Sequence, residues 1–261
     1  MLRPRIIPCL LVKDGGLVKT IRFETPKYIG DPINAVRIFN EKEVDELIVL
    51  DIDATTENRE PDYSMIEHLA EECRMPLCYG GGVKTVEQVQ KIIEVGVEKV
   101  AISSAALENP ALVKEASECV GSQSVVVVLD VKKRGLRNKY EVFLHNGRKA
   151  TGYVPEDLAM QMERLGAGEI VLNSIDHDGV MKGYDFTLVD KIRESINVPL
   201  TVLGGGGSLQ DIGQLIHRYG AIGCAAGSLF VFKGAYRAVL INYPNRAEKD
   251  ALIENNYSFQ S

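Results

Sequence analysis

The chain has 261 residues, a formal net charge of −6 and 45% hydrophobic residues. That length suits one large α/β domain with a sizeable core, and the acidic balance excludes a broad nucleic-acid-binding face while leaving room for a local basic pocket. The five cysteines are scattered and lack paired spacing, so they read as reduced, mostly buried thiols of a cytoplasmic protein, with no disulfide frame and no zinc site.

The N-terminal stretch Met1-Leu2-Arg3-Pro4-Arg5 leads into an apolar run too short for a signal peptide or a membrane span. Residues 5–11 are the first predicted strand. A long segment, 12–31, follows it with Lys13, Gly15, Gly16, Lys19 and Lys27; segments of that length in compact domains are usually functional, and this one reads as a lid. A helix at 33–39, a strand at 47–51, a helix at 64–72, a strand at 76–79, a helix at 86–95, a strand at 99–103 and a helix at 110–116 complete the first half. The second half gives a strand at 124–131, then a segment at 132–151 whose alternation around Asn146-Gly147 predicts a β-hairpin. Helices at 155–165, 187–195 and 209–219 alternate with strands at 169–173, 200–203 and 222–226, and the tail after Tyr243 is polar. Eight near-continuous apolar strands alternating with amphipathic helices predict a parallel sheet covered on both faces, closed as a (β/α)8 TIM barrel.

An internal repeat supports closure. The segment that starts YGGGVKTVEQVQ at Tyr79 resembles LGGGGSLQDIGQ, which starts 124 positions later at Leu203. The chain thus reads as one barrel over 1–261, with half-barrels at about 1–120 and 121–243 and a tail at 244–261.

Two glycine-rich turns carry the clearest chemistry. Gly80-Gly81-Gly82 ends the third strand and Gly204-Gly205-Gly206-Gly207 the seventh; one unit later stand Ser103-Ser104 and Gly227-Ser228. Glycines let backbone N–H groups approach an anion, and the loops after strands seven and eight are the usual phosphate site of such barrels. The repeat places a second site opposite, so a ligand with a phosphate at each end is expected; the alternative is that the glycines only permit tight turns. Asp130 closes the fifth strand, where a general acid/base is expected. Asp51, Asp176, Asp178 and Gly179 lie at strand ends near the rim, as ligand contacts or as caps, and Lys19 of the lid is placed to meet an anion. At the other mouth, Arg5, Glu46, Lys99 and Glu169 each begin a strand, either as an ion-pair plug or as a gate to a passage.

The motifs RIIPCLLVKDGGLVK, DELIVLDIDAT, GGGV, GSQSVVVVLDVK, GAGEIVLNSIDHDG and GSLF, collinear from Arg5 to about Phe230, resemble the cyclase-subunit family of imidazole glycerol phosphate synthase. The resemblance implies a barrel that accepts ammonia from a glutaminase subunit docked on its N-terminal face. Arg5, Glu46, Lys99 and Glu169 match the family's gate. It further implies attack of ammonia on a bis-phosphorylated ribulosyl substrate, no metal or organic cofactor, and no nucleic-acid or membrane partner. The family's two catalytic aspartates close strands one and five. Asp130 matches the second, and Leu11 stands in place of the first. Ser103 replaces a usual Asn, Cys78 an often-found Thr and Leu203 an often-found Ser. Loss of one acid/base group costs about 10²–10⁴-fold in rate. Leu11 therefore also fits the paralogues of surface-polysaccharide gene clusters, which deliver ammonia to a third, amidotransferase partner.

Overall fold

Residues 3–135, 139–234 and 236–257 are described in the computed structural model; residues 1–2, 136–138, 235 and 258–261 lie outside them. Eight parallel strands form a ring: Arg5–Lys13, Leu47–Asp51, Leu77–Gly80, Lys99–Ile102, Val125–Arg134, Glu169–Ser174, Leu200–Leu203 and Gly223–Ala226. Each bonds to the next, and the ring closes where Arg5 to Pro8 pair with Gly223 to Ala226. The chain is a (β/α)8 TIM barrel. Helices Pro32–Glu41, Tyr63–Glu72, Val86–Glu94, Ala111–Val120, Pro155–Arg164, Phe186–Ser195 and Leu209–Tyr219 cover the outside. Capping boxes at Thr85 with Gln88 and at Ser208 with Asp211 start corresponding helices of the two halves, each contributing about 1 kcal/mol.

Successive side chains of a strand point to opposite faces, so counting by two from the charged strand starts gives the inner row. Strand one presents Arg5, Ile7, Cys9 and Leu11; strand five presents Val126, Val128 and Asp130; strand six presents Glu169, Val171 and Asn173. The middle of these rows is apolar: Ile7, Cys9, Ile48, Cys78, Ala101, Val126, Val171 and Ala225 pack together inside the ring, with Leu11 and Leu50 against them. Ile7 and Val126 are fully buried, and each such side chain contributes roughly 1.5–3 kcal/mol. The other face of each strand packs outward on the helices as the larger core.

The structure adds to three sequence expectations. The segment 12–31, expected as a long lid, is an antiparallel extension of strand one: Leu11 to Lys13 pair with Gly16–Ile21, which pairs with Glu24–Gly30. Its two turns, Asp14-Gly15 and Arg22-Phe23, hold positive φ at both central residues, which matches the twist of a tight hairpin, and Asp14-Gly15 is the sequence signal for it. The segment 132–151 holds the expected hairpin, Lys139–Leu144 with Lys149–Ala150, and in addition pairs its first strand with the prolonged strand five, Asp130 opposite Phe143. The polar tail forms a helix, Arg246–Tyr257, that packs on Leu209–Tyr219 and is pinned by Lys249 to Asp45 at 2.9 Å.

Candidate functional site

At the N-terminal mouth, the four charged side chains form one ring. Arg5 pairs with both Glu46 and Glu169, the latter at 2.8 Å; Lys99 reaches Glu46 at 2.8 Å and Glu169 at 2.9 Å. Thr201, one strand on, donates to Glu169. Two cations and two carboxylates thus balance. Burial alone would raise the Glu169 carboxyl, but Arg5 and Lys99 outweigh it and hold the group below its ordinary range. For Lys99 burial works toward a lower value, and Glu169 with Glu46 overcomes it, so the ammonium is held above its usual range.

At the other end lies a cavity of about 130 Å³. Its wall includes the sequence-predicted Lys19, Asp51, Gly81, Ser103, Ser104, Asp130, Asp178 and Gly227. It also includes Leu11, Leu50, Leu203 and Asn173 from the inner rows, and His145 and Asn146 from the hairpin turn. Asp130 accepts a hydrogen bond from Asn173 Nδ2 at 2.9 Å and a long one from the Ser103 hydroxyl at 3.5 Å. Burial pushes its carboxyl up to about 6, against those two donors and with help from the charge of Asp178. A group poised there exchanges protons near neutral pH.

Lys19 is not a solvated loop lysine. It is 7% exposed, and its ammonium donates to the Cys9 carbonyl at 2.7 Å. Gly227 lies so close beneath it that any side chain there would strike it. Burial lowers the Lys19 value, while Cys9 and Asp178 resist. Asp178 receives the Thr20 hydroxyl at 2.8 Å and the Phe23 N–H at 3.3 Å, which ties the hairpin over the cavity. Asp51 is committed to its own loop: Oδ1 accepts the N–H groups of Asp53 and Ala54, and Oδ2 meets Arg59 at 3.3 Å.

The glycine turns match across the repeat. Gly81 and Gly205 both hold φ in the left-handed half, +121° and +114°, with the Asp51 and Gly183 carbonyls where a side chain would stand. Any other residue would be strained and would clash. The first-turn N–H groups of the short helices after Ser103 and Gly227 have no side-chain cap.

Other predicted residues stand back from the cavity. Asp176 accepts the Lys133 N–H at 2.8 Å and braces the prolonged strand five. Gly179 packs on the Thr20 carbonyl and accepts from Arg237. Gly82 donates to Thr55, Gly206 lies under the Tyr184 hydroxyl, and Ser228 is buried behind Gly227. His177 faces Ser174 at 2.9 Å.

Sequence reasoning missed Asn173, His145 and Asn146. Asn173 was visible as a polar residue on the inner row of an apolar strand. The other two become site residues only when their turn folds over the mouth, where Asn146 donates to the Ile52 carbonyl at 2.7 Å and the His145 N–H donates to Ser104 at 3.2 Å. Among the described residues no cluster of three or more His, Cys, Asp or Glu is placed to hold a metal ion, and no helix is long and apolar enough to cross a membrane.

The model of a family described as histidine biosynthesis protein matches residues 5–237. A provisionally named imidazole glycerol phosphate synthase subunit HisF of Leptospira interrogans is 60% identical over 97% of this chain and all of its own length. A provisionally named subunit of the same synthase from Pseudomonas aeruginosa, designated hisF2, is 54% identical over 94% of this chain and 97% of its own length. The imidazole glycerol phosphate synthase subunit HisF of Clostridium botulinum strain Okra is 40% identical over 89% and 92%.

Proposed function

The chain belongs to the histidine biosynthesis protein family, among its imidazole glycerol phosphate synthase HisF subunits, and on that premise we propose that it is the ammonia-receiving barrel of a glutamine amidotransferase complex. The observation that carries this reading is the inner row: a charged ring at one mouth, an apolar column above it, and a polar cavity at the far end. Neutral ammonia crosses an apolar column at low cost, whereas an ion pays a large desolvation penalty there. The ring is closed by four ion pairs, so entry requires one arm to swing aside, and a glutaminase docked on this face is the partner that would move it. At the exit, Asp130 is the acid/base, Lys19 is the cation over the strand-eight end, and the Gly81 turn with Ser104 and the Gly205 turn with the end of strand eight at Gly227 hold the two phosphates of a bis-phosphorylated substrate. The five free thiols suit a reducing cytoplasm.

Leu11 decides what happens to the ammonia. It stands on the cavity wall where a partner for Asp130 would be needed, and an alkyl group moves no proton. The reading is therefore delivery of ammonia to a third, amidinating partner, with cyclisation weakened about 10²–10⁴-fold. A second reading is full cyclase activity in histidine synthesis. It is favoured by the matched glycine turns and by Asp130, whose value of about 6 suits proton transfer. The deciding experiment incubates the purified chain with the bis-phosphorylated ribulosyl substrate and an ammonium salt at mildly alkaline pH and follows substrate loss. Binding without turnover supports delivery; turnover at the rate of an ordinary cyclase sinks it.

A further inference from the structure

The backbone at the start of strand one has a side with no strand against it. Arg5 donates its N–H to the Ile222 carbonyl, and Arg5 to Pro8 pair with Gly223 to Ala226 of strand eight. Successive residues of a parallel strand send their N–H and C=O groups to opposite sides, so Ile6 presents both of its groups toward strand two. The ladder on that side begins only at Cys9 opposite Ile48, and strand two itself begins at Leu47. At the other two ring residues the ladder is continuous: Lys99 stands opposite Cys78 and Glu169 opposite Val126. The open seam therefore lies between Arg5 and Glu46, which pair with each other across it. Buried backbone groups need partners, and here they come from the loop before strand two and from the C-terminal segment. The Ile6 N–H donates to Asp45 Oδ2 at 2.9 Å. The Tyr243 hydroxyl donates to the Ile6 carbonyl at 2.8 Å and accepts the Asp45 N–H at 3.2 Å. Lys249 holds the other oxygen of Asp45 at 2.9 Å, reaches the Glu43 carbonyl at 3.3 Å and lies 5.3 Å from the centre of the Tyr243 ring.

We propose that Tyr243 and Lys249 are positioning residues for the charged ring: by closing the seam between strands one and two, they hold the backbones that carry Arg5 and Glu46 at the spacing their ion pair needs. The proposal rests on the ammonia-receiving reading, in which that ring is the gate. Arg5 immediately precedes Ile6 and Glu46 immediately follows Asp45, so a shift at the seam moves both arms. Lys99 bonds to the same Glu46, and a loosened seam reaches it through that carboxylate. The Tyr243 ring is itself held in place by Phe230, with 5.4 Å between centroids. Burial, and after it the charge of Asp45, keeps the Tyr243 hydroxyl protonated well above its ordinary range, so it remains a donor.

The test reads the ring through Lys99, whose ammonium is shielded by Glu46 and Glu169. The full chain is treated with formaldehyde and cyanoborohydride, and methylation of each lysine is timed by peptide mass spectrometry. Lys249→Ala and Tyr243→Phe are expected to raise the Lys99 rate about two- to fivefold. Lys114, on the helix Ala111–Val120 and exposed, should keep its parental rate. Lys249→Arg retains the cation and should restore the parental rate at Lys99. A thermal melt checks that each variant folds. An unchanged Lys99 rate in both variants, an equal rise at Lys114, or a rise in Lys249→Arg as large as in Lys249→Ala overturns the proposal. Glutamine-driven ammonia release by the complex with a glutaminase is measured on the same preparations. Release by the parent complex with a flat Lys99 rate in the variants sinks the positioning role alone, and a raised Lys99 rate with no release by the parent complex sinks the delivery reading alone.

Discussion

The two ends of the barrel interior place carboxylates on the same inner rows and treat them in opposite ways. At the N-terminal mouth, Glu46 and Glu169 are almost fully buried and each meets both Arg5 and Lys99. At the C-terminal end, Asp130 is met by an amide and a hydroxyl, and among the described residues no ion pair reaches it. The consequence is visible in the proton affinities: Glu169 is held below the ordinary carboxylate range and Asp130 is pushed up to about 6. Burial works in the same direction on both, so the difference lies in the partners. A compensated carboxylate is part of a plug. An uncompensated one is reactive, and its cost in stability is borne for function.

The largest expected effect comes from removing that asymmetry at the cavity wall. Leu11→Asp puts a second carboxylate opposite Asp130. If the pocket is otherwise that of a cyclase, loss of the bis-phosphorylated ribulosyl substrate with ammonium should accelerate about 10²–10⁴-fold; an inert variant would mean that Leu203 and Ser103 have reshaped the pocket for another acceptor.

Next is the ring. Glu169→Gln leaves Arg5 and Lys99 to share Glu46, and removal of one partner of a buried pair costs about 3–5 kcal/mol, read as the shift in the urea midpoint. The pH sign is fixed by the lowered value of Glu169: it adds stability above the unfolded value of 4.5, and that contribution is lost as pH falls through the folded value. The variant should lose this acid limb. A variant as stable as the parent at neutral pH would mean that the ring contributes geometry rather than stability.

Asp130→Asn is the opposite case and the smallest effect. The folded value of about 6 exceeds the unfolded 3.8. Stability from this group is fully present below 3.8 and is lost as pH rises through 6. At pH 8 the amide should therefore stabilise the chain by at most about 3 kcal/mol, less whatever the cavity side of the carboxylate recovers from solvent; at pH 3 it should give no gain. Melting at the two pH values checks it.

Much of this was legible in the residues. Runs such as 47–51 and 200–203 coincide with the observed strands because a strand covered on both faces needs an unbroken apolar sequence. The charges that begin strands one, two, four and six were legible as a group at one mouth, since strands in a parallel barrel all start at the same end. Lys19 was half legible: a lysine in a long segment can be read from the residues, but its burial depends on the hairpin that turns it inward. Asn173 was overlooked because its significance comes from Asp130 alongside it, 43 residues away. The helical tail was overlooked because its packing partner, Leu209–Tyr219, fixes it more than its own polar sequence does.

The sequence by itself determined the alternation of strands and helices, the period-two rows that select which side chains enter the barrel, and the glycine positions that allow backbone to approach a ligand. These follow from local sterics and from side-chain direction along each strand. Only the tertiary structure decided which charges meet and how tightly each holds its proton. Closing the ring sets Arg5 beside Gly223 and within reach of Glu169, 164 residues on, and a carboxylate's proton affinity depends on what lies around it rather than on its place in the chain.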